Sequence, residues 1–354
     1  MTSKILQIIE EDRKAPLIKV LLQGMSQCYR AGVALRNFAY DQELFVATKV
    51  ALPVISVGNI VAGGTGKTPF VRLLAGELLK IGKVAILSRG YRSAIEKSGK
   101  VARLDEQSSA EAVGDEPVFL ARKLKEAMVF SGKKRVQAVK EAAAQGAEII
   151  VLDDGMQHRK LERDIEIAVM DGQDLFGKGF YLPRGFLRDS PKRLREADFI
   201  VVNSVKNEEQ WNIIKAEIKK YSSAPLIGVE LQPMNHHEIK GKRVGAFCGI
   251  AKPLKFMKTL KEAGADIVET MITLDHLSFP YQDLCLFSGK CKAAGAELLV
   301  CTEKDAVKLA DHLDLSLPVV ALKTELKIFS GEAYFIDLLQ KVKLLWSHYH
   351  ERRV

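Results

Sequence analysis

The sequence lacks the features of several common protein classes. Its five cysteines form no CxxC pair, so neither a disulfide framework nor a zinc site is indicated, and buried thiols in a reducing cytosol are the better expectation. No apolar run approaches the roughly 20 residues of a membrane-spanning helix. Glu10, Glu11 and Asp12 interrupt the apolar start of the chain, so we expect no cleaved export signal.

Length and charge narrow the class further. With 354 residues the chain is long enough for two domains, because one domain typically takes roughly 150 residues. Lysine and arginine (53) outnumber aspartate and glutamate (44), which gives a formal net charge of +9. A positive protein concentrates polyanions such as nucleotides, nucleic acids and acidic lipid headgroups. The charge therefore indicates an anionic partner without selecting among these.

The segment from residue 17 to 38 has the pattern of an amphipathic helix. Apolar side chains recur in it at helical spacing: Leu17, Leu21, Met25, Cys28 and Tyr29. Lys19, Arg30 and Arg36 lie among them. Such a helix can lie in a membrane interface with its basic groups at lipid phosphates, or it can pack on its own domain. The pattern alone leaves both alternatives open.

Beyond this segment, short runs rich in Val and Ile alternate with helix-length amphipathic stretches. The runs begin near residues 53, 83, 148, 165, 198, 225, 243, 296 and 318. This alternation predicts an α/β fold with parallel sheets covered on both faces. A charged helix that ends near Pro225 indicates a boundary. We therefore predict an N-terminal amphipathic helix (1–40), a P-loop NTPase-like α/β/α domain with a mostly parallel sheet (41–224) and a second α/β/α domain that closes a cleft (225–354).

A glycine-rich loop follows the first of these runs. It comprises Gly63, Gly64, Thr65, Gly66, Lys67 and Thr68. Glycine allows backbone N–H groups to wrap around phosphate oxygens, and the helix after the loop directs its positive end at the same anion. In this motif Lys67 reaches the terminal phosphates and the Thr68 hydroxyl binds Mg²⁺. The strict pattern has glycine where this chain has Val61, but the flanking strand and helix favour ATP or GTP binding over a structural turn.

Two acidic pairs are candidates for the chemistry. Asp153 and Asp154 end an apolar run, where a strand can deliver a carboxylate to nucleotide-bound Mg²⁺. A turn that merely closes the strand is the alternative. Asp115 and Glu116 begin another helix, where they either compensate the helix dipole or supply the base that accepts a hydroxyl proton in a kinase.

The order of the motifs along the chain resembles one family. The matching blocks, from about residue 53 to 309, are VGNIVAGGTGKTP, LSRGY, GDEP, DDGMQHRKLERD, LPRGFLRDSP, FCGIAKP, LDHLSF and TEKDAVKL. They resemble, in this order, the conserved blocks of the tetraacyldisaccharide 4′-kinases of lipid A biosynthesis. The resemblance implies that the ATP γ-phosphoryl group is transferred, with Mg²⁺, to the 4′-hydroxyl of a tetraacylated glucosamine disaccharide 1-phosphate.

The resemblance also implies which residues hold the nucleotide and the metal. Lys67 and Thr68 match the phosphate-loop lysine and threonine of the family. Asp153 and Asp154 match the strand-end aspartates that organise Mg²⁺. Glu116, next to the aspartate of the GDE block, is placed with the metal ligands.

Catalytic roles follow from the same resemblance. Asp115 matches the catalytic aspartate, and His276 matches its partner histidine from the second domain. Many relatives carry a second histidine where this chain has Leu277, which supports His276 as the proton partner. His158 and Arg188 match further positions that the family implicates.

Two positions in the matching blocks have less defined roles. The LPRGFLRDSP block usually carries glutamate after its last arginine, whereas this chain has Asp189, which therefore receives less weight. Arg89 in LSRGY either helps Arg188 and Lys67 to neutralise the transferring phosphoryl group or is a structural residue after its strand.

A lipid substrate favours the membrane interpretation of the N-terminal helix. Four acyl chains, at about 0.8 kcal/mol per buried CH₂, do not leave a bilayer for a cleft, so the enzyme has to reach the headgroup at the surface. The resemblance thus implies a peripheral, monotopic enzyme on the cytoplasmic face of the bacterial inner membrane. Its expected partners are the lipid disaccharide and the membrane surface, without nucleic acid or an obligatory protein partner.

Two other functions compete with this one. A regulatory ATPase switch has a related loop, but that loop carries a lysine near the position of Val61 or Ala62, and this chain has none there. A nucleic-acid ATPase fits the net charge, but the sequence shows no helix-turn-helix, RNP or OB-type signature. Dependence of ATP turnover on the lipid disaccharide would separate the three.

Overall fold

The computed structural model describes residues 16–105, 107–273, 279–309 and 314–351. The helices among them are Pro16–Asp41, Lys67–Leu78, Ala94–Ser98, Ala110–Val113, Asp115–Lys123, Arg135–Ala144, Glu208–Lys219, Pro253–Glu262, Tyr281–Ala293, Glu303–Ala306 and Glu332–Glu351. Turns of 3₁₀ helix lie at Gly177–Gly179, Pro191–Glu196 and His236–Glu238. Helices and strands alternate along most of the chain, as the sequence pattern predicts.

The strands are numbered in chain order. They are β1 (Val54–Gly58), β2 (Val84–Ser88), β3 (Val101–Arg103), β4 (Met128–Gly132), β5 (Ile149–Asp153), β6 (Ile165–Asp171), β7 (Phe199–Asn203), β8 (Leu226–Pro233), β9 (Arg243–Cys248), β10 (Asp266–Ile272), β11 (Leu298–Thr302), β12 (Val319–Leu322) and β13 (Thr324–Ser330). Every residue of β1, β2, β5 and β7 is buried, which is expected of strands covered on both faces.

The strands form two sheets. The nine-stranded sheet has the order β13-β8-β7-β6-β1-β5-β2-β4-β3, and the four-stranded sheet has the order β10-β9-β11-β12. In the larger sheet β1 pairs with β6, and β7 with both β6 and β8, in parallel, while β3 pairs with β4 antiparallel. All three pairings of the smaller sheet are parallel. The predicted α/β class with a mostly parallel sheet is confirmed.

The chain divides into two compact units. Unit 1 contains the described residues of Met1–Lys67, Asp154–Val229 and Ile328–Val354, and unit 2 contains those of Thr68–Asp153 and Glu230–Lys327. Each unit combines separate segments of the chain, whereas the domains expected from the sequence are continuous; those domain bounds stay a prediction.

The charged helix before residue 225 connects two strands of the nine-stranded sheet. The charged helix Glu208–Lys219 buries Trp211, Ile214 and Ile218 in the core that also contains Ile200 of β7. The helix is therefore the crossover of a parallel unit, and the chain returns to pair β8 with β7. The strand after this helix, β8, belongs to the nine-stranded sheet.

In unit 2 the small sheet is covered on both faces. Val244, Ala246 and Cys248 of β9 belong to one core cluster together with Phe256 and Leu260. The intervening Phe247 belongs to a second cluster with residues of helix Tyr281–Ala293. Because successive side chains of a strand point to opposite faces, this alternation gives an α/β/α arrangement.

The N-terminal helix Pro16–Asp41 contacts unit 1 through a narrow face that includes Leu22, Ser26, Val33 and Asn37. The Ser26 hydroxyl donates a hydrogen bond to the Tyr181 carbonyl oxygen at 2.8 Å. The apolar stripe identified in the sequence lies elsewhere on the helix. Leu17, Leu21 and Met25 are exposed, at 85%, 65% and 52%, whereas Tyr29, at 38%, donates from its hydroxyl to the Arg188 carbonyl at 3.3 Å. Among the described residues, none of the helices has the length and apolar character required to span a bilayer.

Candidate active site

The glycine-rich loop lies between β1 and helix Lys67–Leu78 in the structure, as the sequence predicts. Gly66 has a φ of +92°, and a Cβ atom placed on it would lie 2.4 Å from Nδ2 of Asn203. Glycine is required there for both its dihedral angle and its size. The N–H groups of the first helical turn have no intrahelical partner, so they are available to an anion held by the loop.

Val61 occupies the position where the strict phosphate-loop pattern has glycine. Its side chain is buried in the core of unit 1, and its backbone forms an isolated bridge with Leu187. The residue therefore serves apolar packing at the base of the loop. The glycines that bend the backbone are Gly63, with a φ of +109°, and Gly66.

Asn59, directly after β1, is a site residue that the sequence analysis did not single out. Its side-chain Nδ2 donates to the Thr65 hydroxyl at 2.9 Å, and its carbonyl oxygen accepts from Gln157 at 2.6 Å. Arg188 donates to both the carbonyl and the side-chain oxygen of Asn59. Asn59 thus joins the glycine-rich loop to the LPRGFLRDSP block. The only sequence signal was its place in the VGN block after the strand.

Asp154 is the centre of the charged cluster at the loop. Lys67 Nζ lies 3.4 Å from its Oδ1, and Arg188 forms a bidentate pair with its two oxygens at 2.7 and 2.9 Å. Burial alone would raise the pKa of the Asp154 carboxyl, but the charges of Lys67 and Arg188 outweigh it and hold the pKa far below its usual range. Asp154 is therefore a permanent carboxylate. We call Asn59, Thr65, Lys67, Asp154 and Arg188 the loop cluster; all five lie in unit 1.

Asp153, the last residue of β5, has different partners. It is buried, and its Oδ2 accepts a hydrogen bond from the Ser88 hydroxyl at 3.0 Å. Its backbone carbonyl accepts from Arg135 at 3.2 Å. Asp153 is thus held by β2 and by helix Arg135–Ala144, whereas Asp154 is ion-paired.

Thr68, Asp153 and Asp154, the predicted magnesium ligands, each carry an oxygen donor of the kind that Mg²⁺ prefers. Mg²⁺ prefers hard oxygen ligands and keeps several waters, so a hydroxyl and one or two carboxylates beside nucleotide phosphates are sufficient. Across the part of the chain that the structure describes, no group of three or more His, Cys, Asp or Glu side chains is arranged to bind a metal by itself. Glu116, the fourth predicted ligand, pairs with Lys304 at 3.6 Å.

Asp115 begins helix Asp115–Lys123 in unit 2 and is buried. Gly114, at the N-cap, has a φ of +103° and a ψ of 149°, and a Cβ atom on it would lie 2.8 Å from Cα of Gly90. Only glycine allows the LSRGY turn to pack so closely against the turn that presents Asp115. Lys308 Nζ lies 3.3 Å from Asp115 Oδ2. This ion pair is stronger evidence for a specific role than the position at a helix start, which dipole compensation would also explain.

The remaining predicted residues are His158, His276 and Arg89, and the structure describes two of them. His158 is partly buried, its backbone N–H donates to the Gly155 carbonyl at 2.7 Å, and its backbone carbonyl accepts from Arg163. His276 lies outside the described residues, as does Leu277. Arg89 donates to Glu96 at 2.7 Å, which agrees with a structural role for this arginine.

Asp189 has a defined structural role. This carboxylate is 1% exposed and accepts hydrogen bonds from Arg36 at 2.9 Å and from Asn37 at 2.8 Å. It therefore binds the end of the N-terminal helix to the loop that carries Arg188.

Comparisons with known proteins agree with this geometry. A family model for tetraacyldisaccharide-1-P 4′-kinase, LpxK, matches residues 18–343. The chain belongs to this family. A tetraacyldisaccharide 4′-kinase from Syntrophus aciditrophicus is 37% identical over 353 residues and covers 92% of this chain and 93% of its own length. One from Chlamydia abortus is 40% identical over 309 residues, with 83% of each chain covered.

A solved structure of the family is also similar. The "apo" form of LpxK from Aquifex aeolicus, in complex with ATP, aligns with a TM-score of 0.71 at 29% identity and covers 92% of this chain and 99% of that one. The family that the sequence motifs suggested is confirmed, and with it the assignment to the kinases. The roles of individual residues stay predictions.

Proposed function

We propose that this kinase transfers the γ-phosphoryl group of ATP to the 4′-hydroxyl of a tetraacylated glucosamine disaccharide 1-phosphate. The observation that carries the proposal is the loop cluster itself, in a chain that matches the 4′-kinase family over residues 18–343. A glycine-rich loop before a helix, with Lys67 and Arg188 on one carboxylate, is suited to a nucleotide polyphosphate and its metal.

Each group of the loop cluster has a role in binding the donor. Backbone N–H groups of the loop hold phosphate oxygens, and Lys67 moves from Asp154 to the terminal phosphates when these are present. Arg188 neutralises charge on the phosphoryl group while Asn59 holds its guanidinium in place. Mg²⁺, when bound to the Thr68 hydroxyl and the strand-end carboxylates, offsets the negative charge of the phosphates.

Asp115 acts as the base for the acceptor. The 4′-hydroxyl proton passes to its carboxylate as the sugar oxygen bonds to the γ-phosphorus, and the bond between that phosphorus and the leaving ADP oxygen breaks. His276 shares or relays the proton, and His158 supports the DDGMQH turn. Glu116 would supply a further acidic group to the magnesium site. Phosphoryl transfer demands little covalent chemistry from the protein, so positioning and charge carry the rate.

The enzyme works at a membrane surface, on the cytoplasmic face of the bacterial inner membrane. The exposed apolar stripe of helix Pro16–Asp41 supports this placement, because a helix packed fully on its own domain would bury that stripe. Nearby Leu44, Phe45 and Val46 are also exposed, at 69%, 54% and 83%. Exposed apolar side chains of this kind can enter the headgroup region while the acyl chains of the substrate stay in the bilayer.

A labelled-ATP assay tests the proposal directly. The purified protein, with Mg²⁺ and the tetraacylated disaccharide 1-phosphate in mixed micelles, should produce a labelled bisphosphorylated lipid. Asp115→Ala should lose most of this turnover, by about 10²- to 10⁴-fold, while it retains ATP binding. Near-normal turnover by this variant would remove Asp115 from the base role.

The same assay separates the competing functions. ATP turnover that responds to DNA or RNA, and not to the lipid, would favour a nucleic-acid ATPase. Turnover that needs a partner protein would favour a regulatory switch. A lipid analogue that lacks the 4′-hydroxyl should support no phosphoryl transfer, which serves as the control for acceptor chemistry.

A further inference from the structure

The TEKDAVKL block carries several charged residues to which the proposed reaction assigns no role. Thr302 ends β11 and caps the short helix Glu303–Ala306, and Lys308 follows one turn later. The Lys308 side chain is only 3% exposed. A buried ammonium needs ionic partners, because desolvation of an unpaired charge is very costly. The partners of Lys308 therefore indicate its purpose.

Lys308 is placed between two carboxylates. Its Nζ lies 3.3 Å from Oδ2 of Asp115 and 3.2 Å from Oδ1 of Asp305, and it also donates to the Gly249 carbonyl at 3.4 Å. Asp305 is fully buried. All of these residues belong to unit 2. One ammonium thus connects the proposed base to a carboxylate with no place in the reaction.

Asp305 is itself fixed by the surrounding backbone. The Gly249 N–H donates to its Oδ1 at 3.1 Å, and the Thr302 hydroxyl donates to its Oδ2 at 2.7 Å. The Asp305 N–H bonds back to the Thr302 hydroxyl at 3.1 Å. Both carboxylate oxygens are thereby satisfied at fixed positions on two β-strand ends. The position of the Lys308 ammonium is consequently defined by rigid elements, and not by a long flexible side chain alone.

We propose that Lys308 is a positioning residue for Asp115, and that Asp305 holds Lys308 in place. The ammonium fixes the direction of the Asp115 carboxylate so that its other oxygen faces the acceptor hydroxyl. Positioning matters here because a reacting group displaced by about 1 Å can lose about 100-fold in rate. The inference deepens the proposed function and rests on the base role of Asp115.

A neighbouring ion pair shows why we assign the positioning role to Lys308 and not to Lys304. Lys304 Nζ lies 3.6 Å from Oε1 of Glu116, and these two side chains are 23% and 35% exposed. A pair with that much solvent contact constrains geometry weakly. Burial of Lys308 and of Asp115, at 3% and 10% side-chain exposure, removes the competing water. The buried Lys308 therefore constrains its carboxylate partner more strongly than the partly exposed Lys304 does.

The test measures kcat and the KM values for ATP and lipid in the full-length protein. Lys308→Met should lower kcat by about 100-fold with little change in KM for ATP. Lys308→Arg, which restores a cation, should recover kcat to within about tenfold of wild type. Lys258→Met is the matched control, because Lys258 forms an ion pair with Glu262 in which both side chains are 64% exposed. Its kinetics should equal wild type.

A double-mutant cycle decides whether Lys308 acts through Asp115. In the Asp115→Ala background, Lys308→Met should cause no further loss, because the group that it positions is already gone. A further loss of about 100-fold there would assign Lys308 another role and overturn the inference. So would an unchanged kcat in Lys308→Met alone, with Asp115→Ala inactive; that result would leave the proposed function standing. Near-normal turnover in Asp115→Ala would instead remove the base role on which the inference rests.

Removal of Lys308 leaves two buried carboxylates, so the single variant can fail to fold. The double variant Asp305→Asn with Lys308→Met removes the ammonium together with one carboxylate, so the net charge of the buried group stays the same as in the wild type. Thermal melting would verify its fold. It should show the same loss of kcat, and a wild-type kcat in this folded variant would overturn the inference.

Discussion

At the scale of single residues, burial decides which charged groups are tightly constrained. Asp154 is held as a carboxylate by Lys67 and Arg188, and Asp115 is paired with a buried lysine. Glu166 is another buried acid, at 5% exposure in β6, and lies opposite Ser56 of β1. Arg163 Nε lies 3.1 Å from its Oε2. Burial nevertheless raises the pKa of Glu166 from 4.5 to about 7, because the arginine offsets desolvation only in part.

This raised pKa predicts a pH dependence of stability. Between pH 4.5 and about 7 the folded protein keeps the Glu166 proton while the unfolded chain loses it. The folded state then binds more protons, so the stabilising contribution is complete below pH 4.5 and is lost as the pH rises to about 7. A shift of this size corresponds to about 3 kcal/mol.

Melting temperatures at about pH 5 and about pH 8 check this prediction. Between these two conditions the wild type should lose several degrees relative to Glu166→Gln, whose amide does not ionise. Glu230→Gln, at an exposed position of β8, is the control and should follow the wild type. If the melting temperatures of wild type and Glu166→Gln change equally between these two pH values, Glu166 is ionised in the folded state at both, and the prediction is wrong.

At the scale of secondary structure elements, helix Pro16–Asp41 has two different faces. One face is anchored to unit 1 through Ser26, Asn37 and the pair between Arg36 and Asp189. The other face leaves the apolar stripe in contact with solvent. Asp189 directly follows Arg188 in the chain, so the N-terminal helix is hydrogen-bonded to the segment that carries a residue of the loop cluster. The helix therefore supports the segment that carries Arg188, in addition to its proposed role at the membrane.

The two faces predict a separation between membrane binding and catalysis. The triple variant Leu17→Ser, Leu21→Ser and Met25→Ser should bind vesicles of anionic phospholipid at least about tenfold more weakly, because each side chain contributes apolar burial in the interface. Its turnover of substrate in detergent micelles should stay close to wild type. Co-sedimentation with the vesicles measures the binding.

Ile213→Ser with Leu344→Ser is the control for loss of exposed apolar surface in general. Ile213 is 63% exposed and Leu344 is 72% exposed, and both lie on other helices of unit 1. This variant should bind vesicles as the wild type does. Equal vesicle binding by the triple variant would contradict the assignment of the helix as the membrane-binding element.

At the scale of the whole molecule, donor binding should be visible as added stability. A ligand that binds only the folded state stabilises it by about 2.7 kcal/mol when its free concentration is 100 times Kd. Mg²⁺ with ATP should therefore raise the melting temperature of the wild type by a few degrees. Lys67→Met should abolish this increase, because the proposed donor site uses Lys67 to bind the terminal phosphates.

Two variants make the thermal measurement specific. Lys80→Met removes a lysine that is 68% exposed and paired with Glu77, and it should keep the full increase. Asp115→Ala should also keep it, since the base role does not include donor binding. An undiminished increase in Lys67→Met would show that the nucleotide binds without the glycine-rich loop.

The sequence by itself determined the features that depend on neighbouring residues. The alternation of strands and helices predicts the α/β class, and the motif blocks predict the kinase family. The loop between β1 and helix Lys67–Leu78 was predictable in the same way. These signals are local, since backbone dihedral angles and the periodicity of burial are encoded within a few residues.

Only the tertiary structure decided which distant groups meet. Asp115 and Lys308, Arg188 and Asp154, and Asp189 with the N-terminal helix are pairs between segments far apart in the sequence. The exposure of the apolar stripe and the place of β8 in the large sheet were also undetermined, because an amphipathic helix or an apolar strand has several surfaces on which it can pack. Such choices depend on the packing and charge of the whole fold, and no local pattern contains them.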